Sequence, residues 1–267
     1  EFTFSNHRWL TDEDRNAEPG TTNTDALGFH IPQFFDKVVD IHECFHMSDP
    51  ANAIRTAARK YAVDHELVFY DVRTWQGFLR NLIIRNTEAG GLMVILVVRN
   101  ADDEIKKMLA SLLTQFPEIT SMFYVINPKK NDTIYDLEFN LFSGEPFITE
   151  IMPPFRPGGK ETEFRIGPAS FFQTNSIQAI NLYRTAAGFA GLTGDEHVYD
   201  LYTGTGTIAN YIAPYVQRVT GIESVEAAIA DANLNSRING ITNTFFVAGE
   251  AEKILTGEFI ESQGKPD

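Results

Sequence analysis

The chain has one cysteine, Cys44, among 267 residues. An internal disulfide is therefore ruled out. A lone thiol fits a reducing compartment, so a cytoplasmic protein is expected. By composition alone, Cys44 reads as a small buried apolar residue. Long apolar runs are also missing. The longest, residues 91–98, falls far short of the ~20 residues a membrane span needs, so no membrane association is expected. This run is rich in β-branched residues and reads as a buried strand. No signal peptide is legible. The chain does not begin with Met but with the strand-like run Glu1-Phe2-Thr3-Phe4, which suggests a trimmed start. Internal repeats and low-complexity tracts are absent. Positive charge is scarce: 22 Lys and Arg face 36 Asp and Glu, a net charge of −14. Nucleic-acid binders usually carry a basic footprint, so this balance counts against an RNA partner unless a local basic face or a separate basic module supplies one. His42 and His46 are four residues apart but lack a third ligand, and no metal site is read from the histidines.

What remains is the composition of an ordinary folded protein, 43% apolar and long enough for two domains. Residues 51–63 place Ile54, Ala57, Ala58 and Tyr61 at helical spacing, after the helix-start signal Ser48-Asp49-Pro50. Residues 80–85 and 91–98 read as strands turning at Glu88-Ala89-Gly90. A helix carrying Ile105, Met108, Leu109, Leu112 and Leu113 follows, then a strand at 122–126. Two hairpin-like strands, around 139–142 and 147–151, are expected to turn at Ser143-Gly144-Glu145-Pro146. The polar stretch 11–25 reads as an exposed loop. From Ile177 onward the pattern becomes regular: a helix, a strand at 197–202, a glycine-rich turn with a short helix, a strand at 218–223, a helix at 225–239 stopped by Gly240, and a strand at 244–247. Such alternation builds βαβ units on a parallel sheet. The expected architecture is α/β. An α+β central domain over 1–165 precedes the first half of a Rossmann-like, doubly wound domain over 166–267, with the Pro- and Gly-rich loop 153–160 as the boundary region.

The chemistry concentrates in Asp200-Leu201-Tyr202-Thr203-Gly204-Thr205-Gly206-Thr207-Ile208-Ala209, which closes a strand and opens a helix. Gly204 and Gly206 allow positive φ and close ligand approach. The helix start offers free N–H groups to an anion. Glu223 ends the next strand, where a carboxylate can accept from two ribose hydroxyls. Glu250 follows the third strand, beside the place of an adenine. The run also satisfies the dinucleotide fingerprint G-x-G-x-x-[G/A]. The acid Asp200 in the approach to the turn can serve the amino-acid part of S-adenosyl-L-methionine; with the upstream helix and Phe171-Phe172-Gln173-Thr174-Asn175, it favours that cofactor over a nicotinamide or flavin dinucleotide.

The run Ile166-Gly167-Pro168-Ala169-Ser170-Phe171-Phe172-Gln173-Thr174-Asn175, followed by a helix and Asp200-Leu201-Tyr202-Thr203-Gly204-Thr205-Gly206, resembles the RNA (uracil-5-)-methyltransferase family. So do Ala26-Leu27-Gly28-Phe29-His30 with Val39-Asp40-Ile41-His42-Glu43-Cys44, and Gly77-Phe78-Leu79-Arg80-Asn81-Leu82-Ile83-Ile84-Arg85. The long central region with its Cys44 element resembles the 23S ribosomal RNA branch more than the transfer RNA branch. The resemblance implies an RNA partner, ribosomal RNA ahead of transfer RNA, and S-adenosyl-L-methionine as cofactor. It implies that Gln173 contacts the cofactor and borders the target base, that Tyr202 and Thr207 line the cofactor pocket, that Glu223 holds the ribose, and that Glu250 lies beside the adenine. Phe171 and Phe172 are core residues by default, although one could stack on an extruded base. Cys44 would ligate a [4Fe-4S] cluster only in a longer native chain, since such a cluster takes four thiolates.

In this family a cysteine adds to uracil C6, so that C5 can attack the methyl group. The runs that supply the family's acid (Asp-Pro-Pro-Arg) and nucleophile (Ser-Cys-Asn) are not found between residues 1 and 267. The chain is therefore expected to be a fragment, with no catalytic residue of its own and no activity alone. Two alternatives remain: a nucleic-acid methyltransferase acting on an exocyclic amine, and a non-catalytic RNA-binding protein with a relic cofactor pocket.

Overall fold

The computed structural model describes every residue except 19–21 and 48. Ser48, part of the expected helix-start signal, lies outside the described residues. The chain forms two compact units, one of Glu1–Asn86 with Leu92–Pro146, the other of Thr87–Gly91 with Phe147–Asp267.

The first unit is built on a seven-stranded sheet. Its strands are β1 (Phe2–Ser5), β2 (Ala26–His30), β3 (Val38–Asp40), β4 (Leu79–Asn86), β5 (Leu92–Val98), β6 (Ser121–Ile126) and β7 (Asn140–Gly144). Their order is β3-β2-β1-β4-β5-β6-β7. Only β5 and β6 run parallel. A parallel pair needs a crossover, and α3 (Glu104–Gln115) provides it, burying Ile105, Met108, Leu109 and Leu112 as its spacing predicts. Helix α2 (Ala51–Asp64) buries Ile54, Ala58 and Ala62 in the same core. Every residue of β5 is buried, in keeping with its unbroken apolar run. Cys44 is buried too, at 6% exposure, and its backbone is clamped by the Asn52 side chain. The stretch expected to be a loop contains α1 (Asp12–Asn16). Thr11 and Asp14 form a reciprocal cap: Asp14 N–H donates to Thr11 Oγ1 at 3.3 Å and Thr11 N–H to Asp14 Oδ2 at 2.9 Å.

The second unit holds a two-stranded antiparallel ribbon, β8 (Ile148–Met152) and β9 (Thr162–Ile166). Beside it in the unit is a parallel sheet of β10 (His197–Leu201), β11 (Arg218–Glu223) and β12 (Thr244–Ala248), in that order. Its helices are α4 (Ser176–Ala190), α5 (Thr207–Ile212), α6 (Glu226–Ile238), α7 (Ala251–Ile254) and α8 (Gly257–Gln263). Phe164, Tyr183, Tyr211, Val219 and Phe246 share the core. This is the mixed α/β, Rossmann-like arrangement expected. No helix among the described residues is long and apolar enough to cross a membrane.

The expected hairpin between residues 139 and 151 does not form. β7 pairs with β6, and β8 pairs with β9, a strand missed in the sequence. Two polar side chains explain why β9 belongs to the second unit. Asn235 of α6 and Asn239, its C-cap, accept from Arg165 N–H at 2.9 Å and Glu163 N–H at 2.8 Å, and Asn239 Nδ2 donates to Glu163 O at 2.6 Å. Backbone groups on an open strand edge must find partners, and here the side-chain amides of Asn235 and Asn239 provide them. The compact units accordingly divide at Pro146/Phe147, ahead of the expected 165/166, and the 153–160 loop joins two strands of one ribbon.

The entry to β10 is held by Glu196. Its carboxylate accepts from Thr193 N–H and Oγ1–H, both at 2.6 Å, and from Gly194 N–H at 3.0 Å. The Thr193 hydroxyl and these backbone N–H groups hold its pKa down to about 2. A depressed carboxyl stabilises the fold above its unfolded value, and the effect fades as pH falls through the folded one. Glu196→Gln should lower the thermal midpoint at pH 7. The gap from the parent should close between about pH 4.5 and 2, as followed by circular dichroism melts.

Candidate functional site

At the C-terminal ends of β10 and β11 the chain makes the turn singled out in the sequence. Its organiser is Asp200. The carboxylate Oδ2 accepts from Thr203 Oγ1 at 2.6 Å and from Ala209 N–H in α5 at 3.2 Å. A desolvated carboxylate is costly unless it is hydrogen-bonded. Burial pushes its pKa up, against the pull of these two bonds. Tyr183 nearby is pushed up to about 12, by burial first and by the Asp200 charge second.

This arrangement narrows one expectation. The first turn of α5 was read as offering its N–H groups to a ligand anion. Ala209 N–H is instead taken by Asp200, and Asn210 N–H by Gly206 O at 2.9 Å. Asp200 thus takes one N–H of this helix start from within the chain.

Glu223 ties the second strand end to the turn. Its Oε2 accepts from Gly204 N–H at 3.1 Å, while Oε1 accepts from Val225 N–H at 3.0 Å and Ser224 Oγ–H at 3.1 Å. Each carboxylate oxygen has two lone pairs, so Glu223, half-buried, retains acceptor capacity. Beside it Gly204 has φ +56°, and no atom lies within 4 Å of where a Cβ would stand. A ligand can therefore approach the backbone there.

Gly206 is different. With φ +72°, a Cβ would meet Ala232 Cβ and Asn210 Nδ2, both at 2.8 Å. Its role is close packing of turn against helix. The carbonyls of the turn are held from below by residues that the sequence did not single out. Asn210 Nδ2 donates to Gly206 O at 2.9 Å, and Asn235 Nδ2 donates to Thr205 O at 3.2 Å. Ser236 Oγ–H donates to Asn210 Oδ1 at 2.6 Å. Nothing local in the sequence distinguishes these asparagines from surface ones.

The remaining site residues lie around this frame. Tyr202, with φ +61° and 66% exposed, donates from its hydroxyl to Glu252 Oε1 at 3.0 Å. Thr207 opens α5, with its Oγ1 3.3 Å from Thr205 Oγ1. Glu250 precedes α7, exposed and paired with Lys253 at 2.7 Å. Gln173 is exposed in the loop before α4, and Asn175, not Gln173, caps that helix by accepting from Gln178 N–H at 2.9 Å. Phe172 packs partly against the core, whereas Phe171 is 70% exposed, contrary to its default reading as core. Val225, unremarked in the sequence, leaves an apolar side chain 55% exposed just after Glu223.

Cys44 belongs to the first unit, and one thiolate cannot hold a four-thiolate cluster. Among the described residues no group of three or more His, Cys, Asp or Glu could hold a metal ion. The residues present do not fit an iron–sulfur cluster.

Replacing Gly206 by Ala should destabilise the chain by at least ~1–2 kcal/mol, the cost of a left-handed conformation alone, with further loss from the contact at Ala232. Urea unfolding followed by tryptophan fluorescence and circular dichroism measures this.

No family model matches the chain. It is 48% identical over 271 residues to a protein of Bacteroides thetaiotaomicron named as an uncharacterized RNA methyltransferase, and 49% identical over 273 residues to one of the same name from Porphyromonas gingivalis. Both alignments cover 100% of the chain, and 58% and 57% of those proteins. The chain thus spans little more than half the length of these relatives. Among solved structures it is similar to the tRNA (uracil-54, C5)-methyltransferase of Pyrococcus abyssi in complex with S-adenosyl-L-homocysteine. The TM-score is 0.65 and the identity 27%, over 84% of this chain and 52% of that one. Over its whole length, the chain belongs to the same family as these bacterial proteins named RNA methyltransferases.

Proposed function

We propose that this chain is the central part of an enzyme that transfers a methyl group from S-adenosyl-L-methionine to C5 of a uridine in RNA. The observation that carries the reading is the pairing of Glu223 with Gly204 beside an open backbone face. That pairing gives a carboxylate for a ribose diol next to a glycine that a ligand can approach, at the C-terminal edge of a parallel sheet. The likeness to a uracil-C5 enzyme holding S-adenosyl-L-homocysteine supports the ligand and the target atom.

The residues present fit the cofactor. Glu223 would hold the ribose, Val225 and Glu250 would flank the adenine, and Tyr202 and Thr207 would border the remainder. Gln173 would lie between the cofactor and the target base. Asp200 acts by positioning, since its bonds keep Gly204 and Gly206 in their left-handed conformations. When bound, the cofactor supplies an electrophilic methyl group. The nucleophile for uracil C6 does not come from Cys44, which is buried in the core of the first unit. The first unit would serve the RNA, with ribosomal RNA favoured by the length of the central region and its Cys44 element.

Titration calorimetry with S-adenosyl-L-homocysteine tests the site. The 267-residue polypeptide should bind it, and Glu223→Gln should weaken binding roughly tenfold or more, the loss expected for a charged hydrogen-bond partner. Binding of a nicotinamide dinucleotide instead would overturn the reading. The same polypeptide, incubated with the methyl donor and RNA, should form no 5-methyluridine. Nucleoside analysis of ribosomal and transfer RNA from a strain lacking the gene would identify the substrate class.

A further inference from the structure

Two further carboxylates of the second unit lie outside the glycine-rich turn. Glu150, on β8, is 1% exposed. Its Oε2 accepts from Ser176 Oγ–H at 2.5 Å and from Glu88 N–H at 3.2 Å, and its Oε1 accepts from Ile151 N–H at 3.1 Å. All four residues belong to the second unit. A desolvated carboxylate must gather such donors. Glu150 thereby ties Ser176, the first residue of α4, to β8.

Asp231, half-buried on α6, does the same a few residues earlier in the chain, where its Oδ2 accepts from Ser170 Oγ–H at 2.5 Å. Ser170 also closes a turn. Its Oγ accepts from Gly167 N–H at 3.1 Å, and its N–H donates to Gly167 O at 3.2 Å. Ser170 and Ser176 are both buried, whereas residues 171–175 between them are exposed or half-buried and lie in neither helix nor strand. Inside this segment Phe172 packs on Phe164 of β9, with ring centroids 6.0 Å apart, and Asn175 caps α4. Gln173 sits between these two anchored residues.

An irregular exposed segment samples many conformations unless its ends are tied. Here each end is a buried serine whose hydroxyl is held by an acid on a different element, β8 at one end and α6 at the other. We propose that Glu150 and Asp231 are positioning residues, which pin Ser176 and Ser170 and so hold Gln173 ready for the cofactor. Neither acid touches the cofactor. Each acts through a serine on the backbone that carries Gln173, and ordering that backbone in advance lowers the cost of binding. The proposal rests on the reading of Gln173 as a cofactor contact.

The test combines amide hydrogen exchange with titration calorimetry, both on the whole chain. Glu150→Gln and Asp231→Ala should each speed exchange of peptides spanning 170–176 about tenfold or more, and leave the turn 200–207 unchanged. Each should weaken S-adenosyl-L-homocysteine binding about fivefold, the loss of one neutral hydrogen bond. Gln173→Ala should cost about the same. Added to Gln173→Ala, neither acid substitution should weaken binding further, because groups that act through one another are not additive. A merely structural role would give additive losses. Should Glu150→Gln not fold, Ser176→Ala removes the same bond and carries the test. Unchanged exchange over 170–176, exchange raised equally across the second unit, or additive losses would each overturn the positioning role. If the parent chain binds S-adenosyl-L-homocysteine and the variants bind it equally well, only this proposal falls. If the parent does not bind it, the functional reading falls as well.

Discussion

The carboxylate of Asp200 is the interaction on which the candidate site depends. It is desolvated, so it must be satisfied by hydrogen bonds. The partners it finds, the Thr203 hydroxyl and the Ala209 N–H, stand on either side of the glycine pair. Satisfying one desolvated charge therefore fixes the path of the whole turn. The left-handed conformations at Tyr202, Gly204 and Gly206 follow from that path. Glu223 then closes the turn from the neighbouring strand, and the amides of Asn210 and Asn235 hold its carbonyls. The frame is preorganised before any ligand arrives, and preorganisation lowers the cost of binding.

The first unit handles a buried charge in another way. Arg80 is surrounded by carbonyls and one carboxylate, and is stacked on Tyr70, yet keeps one donor unmatched. Arg55, also buried, donates to His42 O at 2.7 Å while its own Nε lacks a partner. Arginine suits such places because its charge is delocalised and weakly hydrated. These buried cations do not offset the acidity of the surface, and the chain's net charge of −14 remains poor for binding a polyanion.

Much of the fold was legible because burial imposes a period on the sequence. The apolar faces of α2 and α3 and the unbroken run of β5 could be read from residue spacing, since each element must turn its apolar side inward. The turn from Asp200 to Thr207 was legible because glycine and threonine at those spacings serve few other purposes. The hairpin expected between residues 139 and 151 did not form, for a reason of the opposite kind. Both strands are real, but local pattern says nothing about which neighbour a strand edge will find. β9 escaped notice because its partners on one side are the side chains of Asn235 and Asn239, about 70 residues later in the chain.

By itself, the sequence determined the class of the elements with a clear apolar period, the α/β character, the position of the glycine-rich turn and the acids around it. These follow from local periodicity and backbone freedom, which act over a few residues. Only the tertiary structure decided that the Ala209 N–H is filled by Asp200, that the ribbon β8–β9 joins the second unit, and that a register shift in β4 leaves Arg80 buried among carbonyls. Those outcomes depend on which polar groups lose water together, and that is settled between residues far apart in the chain.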